Sequence, residues 1–118
     1  MAAKVCNEYG NISIENEVIA RIAGLAAMDC YGIVGMAIKN VKDGFVQLLK
    51  RESLTKGINL LVNENKVAID FHIIVEYGTN ISAIADNLIN TVKYKIEDCI
   101  GLEVEHINIF VEGVRVEN

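Results

Sequence analysis

The segment from Val67 to Glu76 carries side chains whose types could support catalysis or metal binding. Apolar residues in it alternate with Asp70, His72 and Glu76, and the two-residue repeat of a β-strand would set these polar side chains on one face. The same alternation in a later segment adds His106 to that face. A carboxylate close to imidazoles is suited to general acid–base catalysis or to holding a metal ion.

The pattern around these residues argues against such a site. Side chains two residues apart on a strand project side by side on a flat surface, whereas active sites are concave. No serine or cysteine nucleophile joins Asp70, His72 and His106, and their spacing matches no metal motif. We therefore predict a protein that is not an enzyme and needs no cofactor. A hydrolase or metal enzyme at these three residues is kept as an alternative.

Hydrophobic periodicity predicts the elements that position this face. They are a strand at 9–14, a helix at 15–30, a shorter helix at 41–54, a hairpin of strands 57–62 and 67–77 around a turn at 63–66, a long helix after residue 80 and a last strand within 102–116. Without the shorter helix the order is βαββαβ. This order predicts an α+β fold, a two-layer sandwich whose mostly antiparallel sheet carries its helices on one face, ferredoxin-like with an extra short helix. Residues 1–118 are expected to form a single domain.

Residue chemistry predicts how the helices begin, end and pack. Ser13 is expected to cap the first helix, Thr79 or Asn80 to cap the long helix, and Gly101 to end it. Small residues on one side of the first helix predict a close contact there. Three- and four-residue spacing predicts the inward positions: Val18, Ile22, Leu25 and Ala26 on the first helix, and Ile81, Ala85, Leu88, Val92, Ile96 and Cys99 on the long helix.

The face of the sheet opposite the helices is predicted to be open. Alternation places on it five residues that could form a contact surface: Leu61, His72, Ile74, Asn108 and Phe110. Large apolar side chains ringed by polar groups are typical of an interface. We predict self-association through this face, and the alternative is a mixed, solvated face without a partner.

Charge is spread unevenly along the chain. The net charge of −5 makes nucleic acid an unexpected partner, because neutralising phosphates requires clustered Lys and Arg. One segment nevertheless carries an excess of three positive charges, with Lys39, Lys42, Lys50, Arg51 and Lys56 against two acidic residues. This basic segment could attract a partner or a second copy of the chain, and the alternative is a solvated helix surface.

The motif GIVG at 32–35 supplies a second functional hypothesis. It lies between two predicted helices, as a G-x-x-G loop does in KH domains, where the loop clamps a nucleic-acid backbone. Ile33 and Val34 offer phosphates only backbone amides, while Lys39 and Lys42 would assist. This alternative is a KH-like nucleic-acid-binding domain that uses the GIVG loop and the basic second helix.

The chain shows no targeting or membrane-spanning segment. No apolar stretch approaches the roughly 20 residues of a spanning helix, and the first residues lack the apolar core of a signal peptide. We expect a cytoplasmic protein that does not insert into the membrane. Its cysteines, Cys6, Cys30 and Cys99, form no C-x-x-C pair and are expected to be reduced thiols.

Three blocks, GNISIENEVIARIAGLAA, VEYGTNISAIADNL and IGLEVEHINIFVEGV, occur in this order over most of the chain. The first carries Gly-x-Ile-x-Ile before an Ala-rich helix, the second Tyr-Gly-x-x-Ile, and the third Gly-Leu-x-Val followed by Val-x-Gly-Val. Together with a glycine-valine-glycine connection in YGIVGMA, they resemble the alkaline shock protein family, also described as an envelope stress response family.

This resemblance implies a small cytoplasmic protein of Gram-positive-type bacteria without assigned catalytic residues. Some members of that family gather beneath the cell membrane, tethered by a membrane-anchored protein partner, and affect tolerance of envelope stress. The hypothesis that follows is a non-enzymatic scaffold or adaptor in bacterial envelope stress response or homeostasis. We expect it to be a homo-oligomer and to be peripheral to the membrane through such a partner.

Overall fold

The structure, a computed structural model, describes residues 3–7, 9–39, 46–49 and 51–116. Its elements in chain order are β1 Ala3–Asn7, β2 Gly10–Ile14, α1 Asn16–Met28, β3 Ile33–Lys39, β4 Val46–Leu48, a 3₁₀ helix Arg51–Gly57, β5 Ile58–Asn63, β6 Lys66–Glu76, α2 Ile81–Tyr94, a π-helix Lys95–Ile100 and β7 Glu103–Arg115. This mixture of sheets and helices confirms the α+β class. Within these residues no helix is both long and apolar enough to cross a membrane.

The long strand β6 organises the main sheet. One edge of β6 pairs in parallel with β7 along its whole length, from Lys66 opposite Glu103 to Glu76 opposite Arg115. The other edge is shared, because β5 pairs antiparallel with the first half of β6 and β3 with its end. β4 pairs antiparallel with the last residues of β3.

One face of this sheet and the two α-helices enclose the hydrophobic core. The predicted inward residues of β6 are confirmed as almost fully buried: Val67, Ile69, Phe71, Ile73 and Val75. The row Ile84, Leu88 and Val92 of α2 packs against them. Burying each large apolar side chain stabilises the fold by roughly 1.5–3 kcal/mol.

The first helix is buried on its small-residue side. Its buried residues are Ile19, Ala20, Ala23, Gly24, Ala26 and Ala27. This confirms the predicted close contact, because alanine and glycine let helix and sheet approach. The predicted stripe is wrong for Val18, which is exposed, whereas Ala26 is buried and Ile22 and Leu25 are partly buried and pack against the core.

Two predicted details at the helix starts are wrong. Ser13 lies within β2, and Glu15 occupies the N-cap position of α1 without a side-chain cap hydrogen bond. In α2, Ile81 is exposed and Ile84 is buried in its place. The reason is that Ile81 is the first residue of the helix, whereas Ile84 begins the series of residues spaced four apart that faces the sheet.

The long helix begins as predicted and ends differently. The Asn80 side-chain oxygen accepts the backbone N–H of Ala83 at 3.1 Å, which confirms the predicted cap. Gly101, in the left-handed conformation, ends the helical segment as predicted. Over its last residues the α-helix widens to a π-helix, whose i→i+5 hydrogen bonds change the direction of successive side chains. Cys99, predicted to be inward, is therefore exposed, while Ile96 remains buried.

The first predicted strand, which is β2 in the structure, pairs differently from the ferredoxin-like order, in which it would join the main sheet. β2 pairs instead with β1 in a separate hairpin, from Ala3 opposite Ile14 to Asn7 opposite Gly10. This hairpin pairs one edge of β2 locally. β6 and β7, which α2 joins, are consequently direct neighbours in a parallel βαβ unit.

The predicted second helix is wrong at residues 46–48, and its last residues lie in a 3₁₀ helix. Val46–Leu48 is strand β4, and a 3₁₀ helix follows at Arg51–Gly57. The N–H of Leu49 donates to the carbonyl of Met36 at 2.8 Å, so this segment is held by β3. Such tertiary pairing overrides a weak helical propensity, here lowered by Gly44 in the sequence.

Candidate functional site on the open face of the sheet

The face of the main sheet opposite the α-helices carries all five residues that the sequence assigned to a contact surface. Strand pairing arranges this open face in rows: Leu61, Ala68 and His106; Asn59, Asp70 and Asn108; His72 and Phe110; and Gly35, Ile74 and Gly113. The β5–β6 hairpin is confirmed, with a two-residue turn at Glu64–Asn65 in place of the predicted four residues. The turn length sets the register and therefore decides which residues share a row.

His72 is held from three directions at the centre of the open face. Its Nδ1 lies 2.9 Å from Glu112 Oε1, and its Nε2 lies 3.3 Å from the amide nitrogen of Asn59. Its ring stacks on Phe110 with centroids 5.0 Å apart and planes 14° apart. In the neutral tautomer that fits these partners, Nδ1–H donates to Glu112 and Nε2 accepts from Asn59. Both nitrogens are thus engaged within the chain.

The other two residues of the catalytic alternative lie apart from this imidazole. Asp70 accepts a hydrogen bond from the amide of Asn108 at 3.0 Å. His106 lies opposite Ala68, four residues from His72 along β6 or about 13 Å along the strand. Across the described part of the chain, no three His, Cys, Asp or Glu side chains are placed to hold a metal ion. The alternative cluster of Asp70, His72 and His106 is therefore not assembled.

An apolar hollow lies at the β3 end of the open face. Ile74 forms part of it and stands between Gly35 on β3 and Gly113 on β7. Leu48 covers Gly35 closely, since a Cβ on that glycine would lie 2.9 Å from Leu48 Cδ1. The hollow has a volume of about 320 Å³ and is also lined by Val34, Val114 and Arg115. An apolar side chain of a partner could enter it.

Phe110 lies between the hollow and the polar centre, and 45% of it is exposed. Leu61 is 72% exposed, but the row of Asn59, Asp70 and Asn108 separates it from Phe110. Phe110 and Ile74 therefore belong to one apolar patch bordered by hydrogen-bonded polar groups, and Leu61 stands alone beyond them.

A β-bulge in β7 brings Gly113 to the open face next to Glu112. Ile73 pairs with Val111 but Ile74 pairs with Gly113, so Glu112 is an extra residue on β7. Both Glu112 and Gly113 then lie beside Phe110 on the same face. Glycine inside a strand pattern often marks a bulge, so Gly113 was the sequence signal for this feature.

Sequence reasoning missed two residues of the open face. Asn59 reaches His72 because the short hairpin turn places it opposite Asp70. Leu48 reaches the hollow because its segment is a strand paired with β3. The alternation of Asn59 and Leu61 with apolar neighbours could have indicated the first, whereas nothing local indicated the second.

The GIVG motif and the basic segment were the remaining predicted sites. Ile33, Val34 and Gly35 lie in strand β3, paired with β6, so the predicted KH-type loop is wrong. A strand paired within a sheet does not form the loop that wraps around a nucleic-acid backbone in KH domains. Of the basic residues, Lys42 and Lys50 lie outside the described residues, as do the side chains of Lys39 and Arg51. Lys56 is exposed beside the start of α1.

Comparison with known proteins identifies the family. The model of the alkaline shock protein 23 family, described as having a cell envelope-related function, matches residues 4–116. The chain belongs to this alkaline shock protein family. Its membership confirms the resemblance seen in the sequence blocks.

Curated relatives of the chain range from full-length to partial matches. The uncharacterized protein YloU of Bacillus subtilis (strain 168) is 49% identical over 119 residues, which cover 100% of this chain and 99% of YloU. The uncharacterized protein Spy1614 of Streptococcus pyogenes serotype M6 is 32% identical over 117 residues, 98% of this chain and 97% of Spy1614.

A stress response regulator gls24 homolog of Streptococcus pyogenes serotype M3 is 28% identical over 111 residues, 92% of this chain and 60% of the homolog. No solved structure matches the chain significantly. Family and relatives together give an envelope- and stress-related function.

Proposed function

We propose that this member of the alkaline shock protein family is a non-enzymatic, self-associating scaffold or adaptor of the bacterial cell envelope. The observation that carries the proposal is the open face, where Phe110 is nearly half exposed beside the hollow at Ile74. An apolar patch bordered by polar groups is the composition of a protein interface.

The polar border of this patch is already ordered. His72 is engaged by Glu112, Asn59 and Phe110, and Asp70 by Asn108. Side chains that are fixed before binding lose less conformational entropy when a partner docks. Their hydrogen bonds can also stay intact when water is excluded, so that docking leaves few unpaired polar groups. This arrangement favours a binding surface over a catalytic centre.

The oligomeric state in solution tests self-association. Sedimentation velocity of the wild type over a concentration series is expected to show reversible association, and the double variant Phe110→Asp, Ile74→Asp is expected to associate more weakly than the wild type. Tyr31→Asp is the matched control, because Tyr31 is also a large aromatic residue and strongly exposed but lies just after α1. A wild type that stays monomeric in concentrated solution would remove self-association from the proposal.

We further propose that the protein reaches the cytoplasmic side of the membrane through a membrane-anchored protein partner. The family is described by a cell envelope-related function, while the described helices include no spanning segment. The purified chain should then sediment with native membranes and fail to sediment with protein-free anionic vesicles. Binding to both in equal amounts would replace the protein partner by direct lipid contact.

A further inference from the structure

Among the described residues, the edge strand β7 has a strand partner on only one of its two long sides. β6 pairs with one edge of β7 over its whole length, and no other described strand pairs with it. Its helix-side residues Ile107 and Ile109 are only partly buried, and Val111 is 37% exposed. The equivalent residues of β6 are almost fully buried. The helix layer therefore stops short of the outer edge of β7.

The middle of this edge lacks the residues that usually prevent strand pairing. Edge strands are commonly protected by charged side chains, proline or bulges. The bulges of β7 lie near its two ends, and the segment His106–Val111 between them contains neither proline nor Asp, Glu, Lys or Arg. The charged residues of the strand, Glu103, Glu105, Glu112 and Arg115, all lie outside this segment.

We propose that a second copy of the chain pairs on this edge, β7 to β7 in antiparallel orientation, centred on Ile109. Residues opposite each other in an antiparallel pair share a face, so the register can shift only in steps that keep helix-side residues opposite helix-side residues. Centred on Ile109, the register places Glu103 opposite Arg115 of the second copy and His106 opposite Glu112. It also places Ile107 opposite Val111 and Val104 opposite Val114.

The neighbouring registers are less complementary. Centring on Asn108 sets Glu103 opposite Gly113 and Glu105 opposite Val111, without a charge pair. Centring on Phe110 keeps a single charge pair, Glu105 with Arg115, and sets Ile107 opposite Gly113. The register on Ile109 thus combines the charge pair of Glu103 with Arg115, a polar contact of His106 with Glu112 and apolar contacts, and each occurs twice by symmetry.

This pairing rests on the proposed self-association and deepens it. It supplies a second contact between copies, distinct from the open face. The two sheets would become continuous, and Phe110 of one copy would lie opposite Asn108 of the other. The apolar patches of both copies would then stand side by side on one wide open face. A pair joined by its edges could stack through that face with further pairs, which is how a scaffold grows beyond a dimer.

Charge reversal at the strand ends tests the edge contact. Glu103 and Arg115 lie about 40 Å apart in one chain, so they can meet only between copies. Arg115→Glu is expected to weaken association about tenfold, because two attractive pairs become repulsive. The double variant Glu103→Arg, Arg115→Glu is expected to return the dissociation constant to within about threefold of the wild type.

Contacts within the chain cannot produce that recovery. Glu103 lies opposite Lys66 and Arg115 opposite Glu76 on β6, so the double variant sets like charges beside both positions. Its thermal stability should fall below that of the single variant even while its association recovers. Unchanged association in Arg115→Glu, or absence of recovery in the double variant, would overturn the edge pairing.

Disulfide trapping tests the register. In a background of Cys6→Ser and Cys99→Ser, which removes the exposed thiols, Ile107→Cys and Val111→Cys chains are prepared separately. Under oxidation a mixture of the two should cross-link, because these positions lie opposite each other within disulfide reach. Each variant alone should not, because identical positions are about 13 Å apart in this register. Cross-linking of either variant alone to the same extent as the mixture would overturn the register centred on Ile109.

The two interfaces give distinguishable failures. If the edge variants leave association unchanged while Phe110→Asp, Ile74→Asp abolishes it, the edge pairing is overturned and the proposed function stands. If recovery by charge reversal and mixed cross-linking both occur in an Ile74→Asp background, which changes the open face on β6 and leaves β7 unaltered, the edge pairing is supported independently of the open face. A wild type that is monomeric at every concentration overturns both.

Discussion

Replacing Phe110 with alanine should weaken self-association through the open face about a thousandfold. Phe110 is 45% exposed, and a phenylalanine presents about 200 Å², so a partner can cover about 90 Å² of it. At about 25 cal/mol per Å² this burial stabilises the contact by about 2 kcal/mol per copy. A symmetric contact uses the residue twice, which gives about 4 kcal/mol, or a factor of about 10³ in the dissociation constant.

The variant must also be shown to fold. Phe110 stacks on the ring of His72, so Phe110→Ala should lose about 1 kcal/mol of unfolding free energy, which leaves most of a typical stability of about 5–15 kcal/mol. Urea unfolding followed by circular dichroism measures this loss. Sedimentation velocity across a concentration series measures the dissociation constant. Tyr31→Ala serves as the control, because Tyr31 is 79% exposed just after α1.

Two outcomes would refute the reasoning. A dissociation constant for Phe110→Ala close to that of the wild type would show that the second copy does not cover this ring. Equal weakening by Tyr31→Ala would show that association depends on general exposed aromatic surface and not on the open face. In either case the open face would have to be assigned to a different partner or to none.

Other predictions concern the elements that hold the site. Gly32→Ala should lower the free energy of unfolding, measured in urea, by about 1–3 kcal/mol more than Gly78→Ala. Both glycines have φ near +87°, but a Cβ on Gly32 would meet the Ile84 side chain, whereas a Cβ on Gly78 would have no atom within 4 Å. Equal losses in the two variants would contradict this packing. Asn80→Ala should cost about 1 kcal/mol by removing the cap of α2, and Asn80→Ser should recover most of that loss. Burial raises the pKa of the Cys30 thiol above its usual value, so iodoacetamide at pH 8 should spare Cys30 in the folded protein and modify it in urea. Rapid modification of Cys30 in the folded chain would show that it is not protected. Because the thiol ionises at lower pH in the unfolded chain, the contribution of Cys30 to stability should be complete below about pH 8.5 and decline as the pH rises further.

Local sequence patterns were sufficient to predict the parts of the fold in which the surroundings of the residues are uniform along the element. The alternation of β6 predicted its buried face because that strand is covered by helices along its whole length. Asn80 and Gly101 predicted helix ends because a cap and a left-handed turn involve only neighbouring residues. Residues 46–48 were assigned to a helix because their strand conformation depends on pairing with β3, which local propensity does not reveal.

The candidate site divides in the same way. The sequence by itself determined that His72, Ile74, Asn108 and Phe110 share a face, because side-chain direction on a strand follows from the two-residue repeat. Only the tertiary structure decided which of them touch. The hairpin turn length, the bulge at Glu112 and the parallel pairing of β6 with β7 set the rows, and with them the separation of Leu61 from Phe110. Register depends on contacts between distant segments, and a strand's own residues do not encode its neighbour's position.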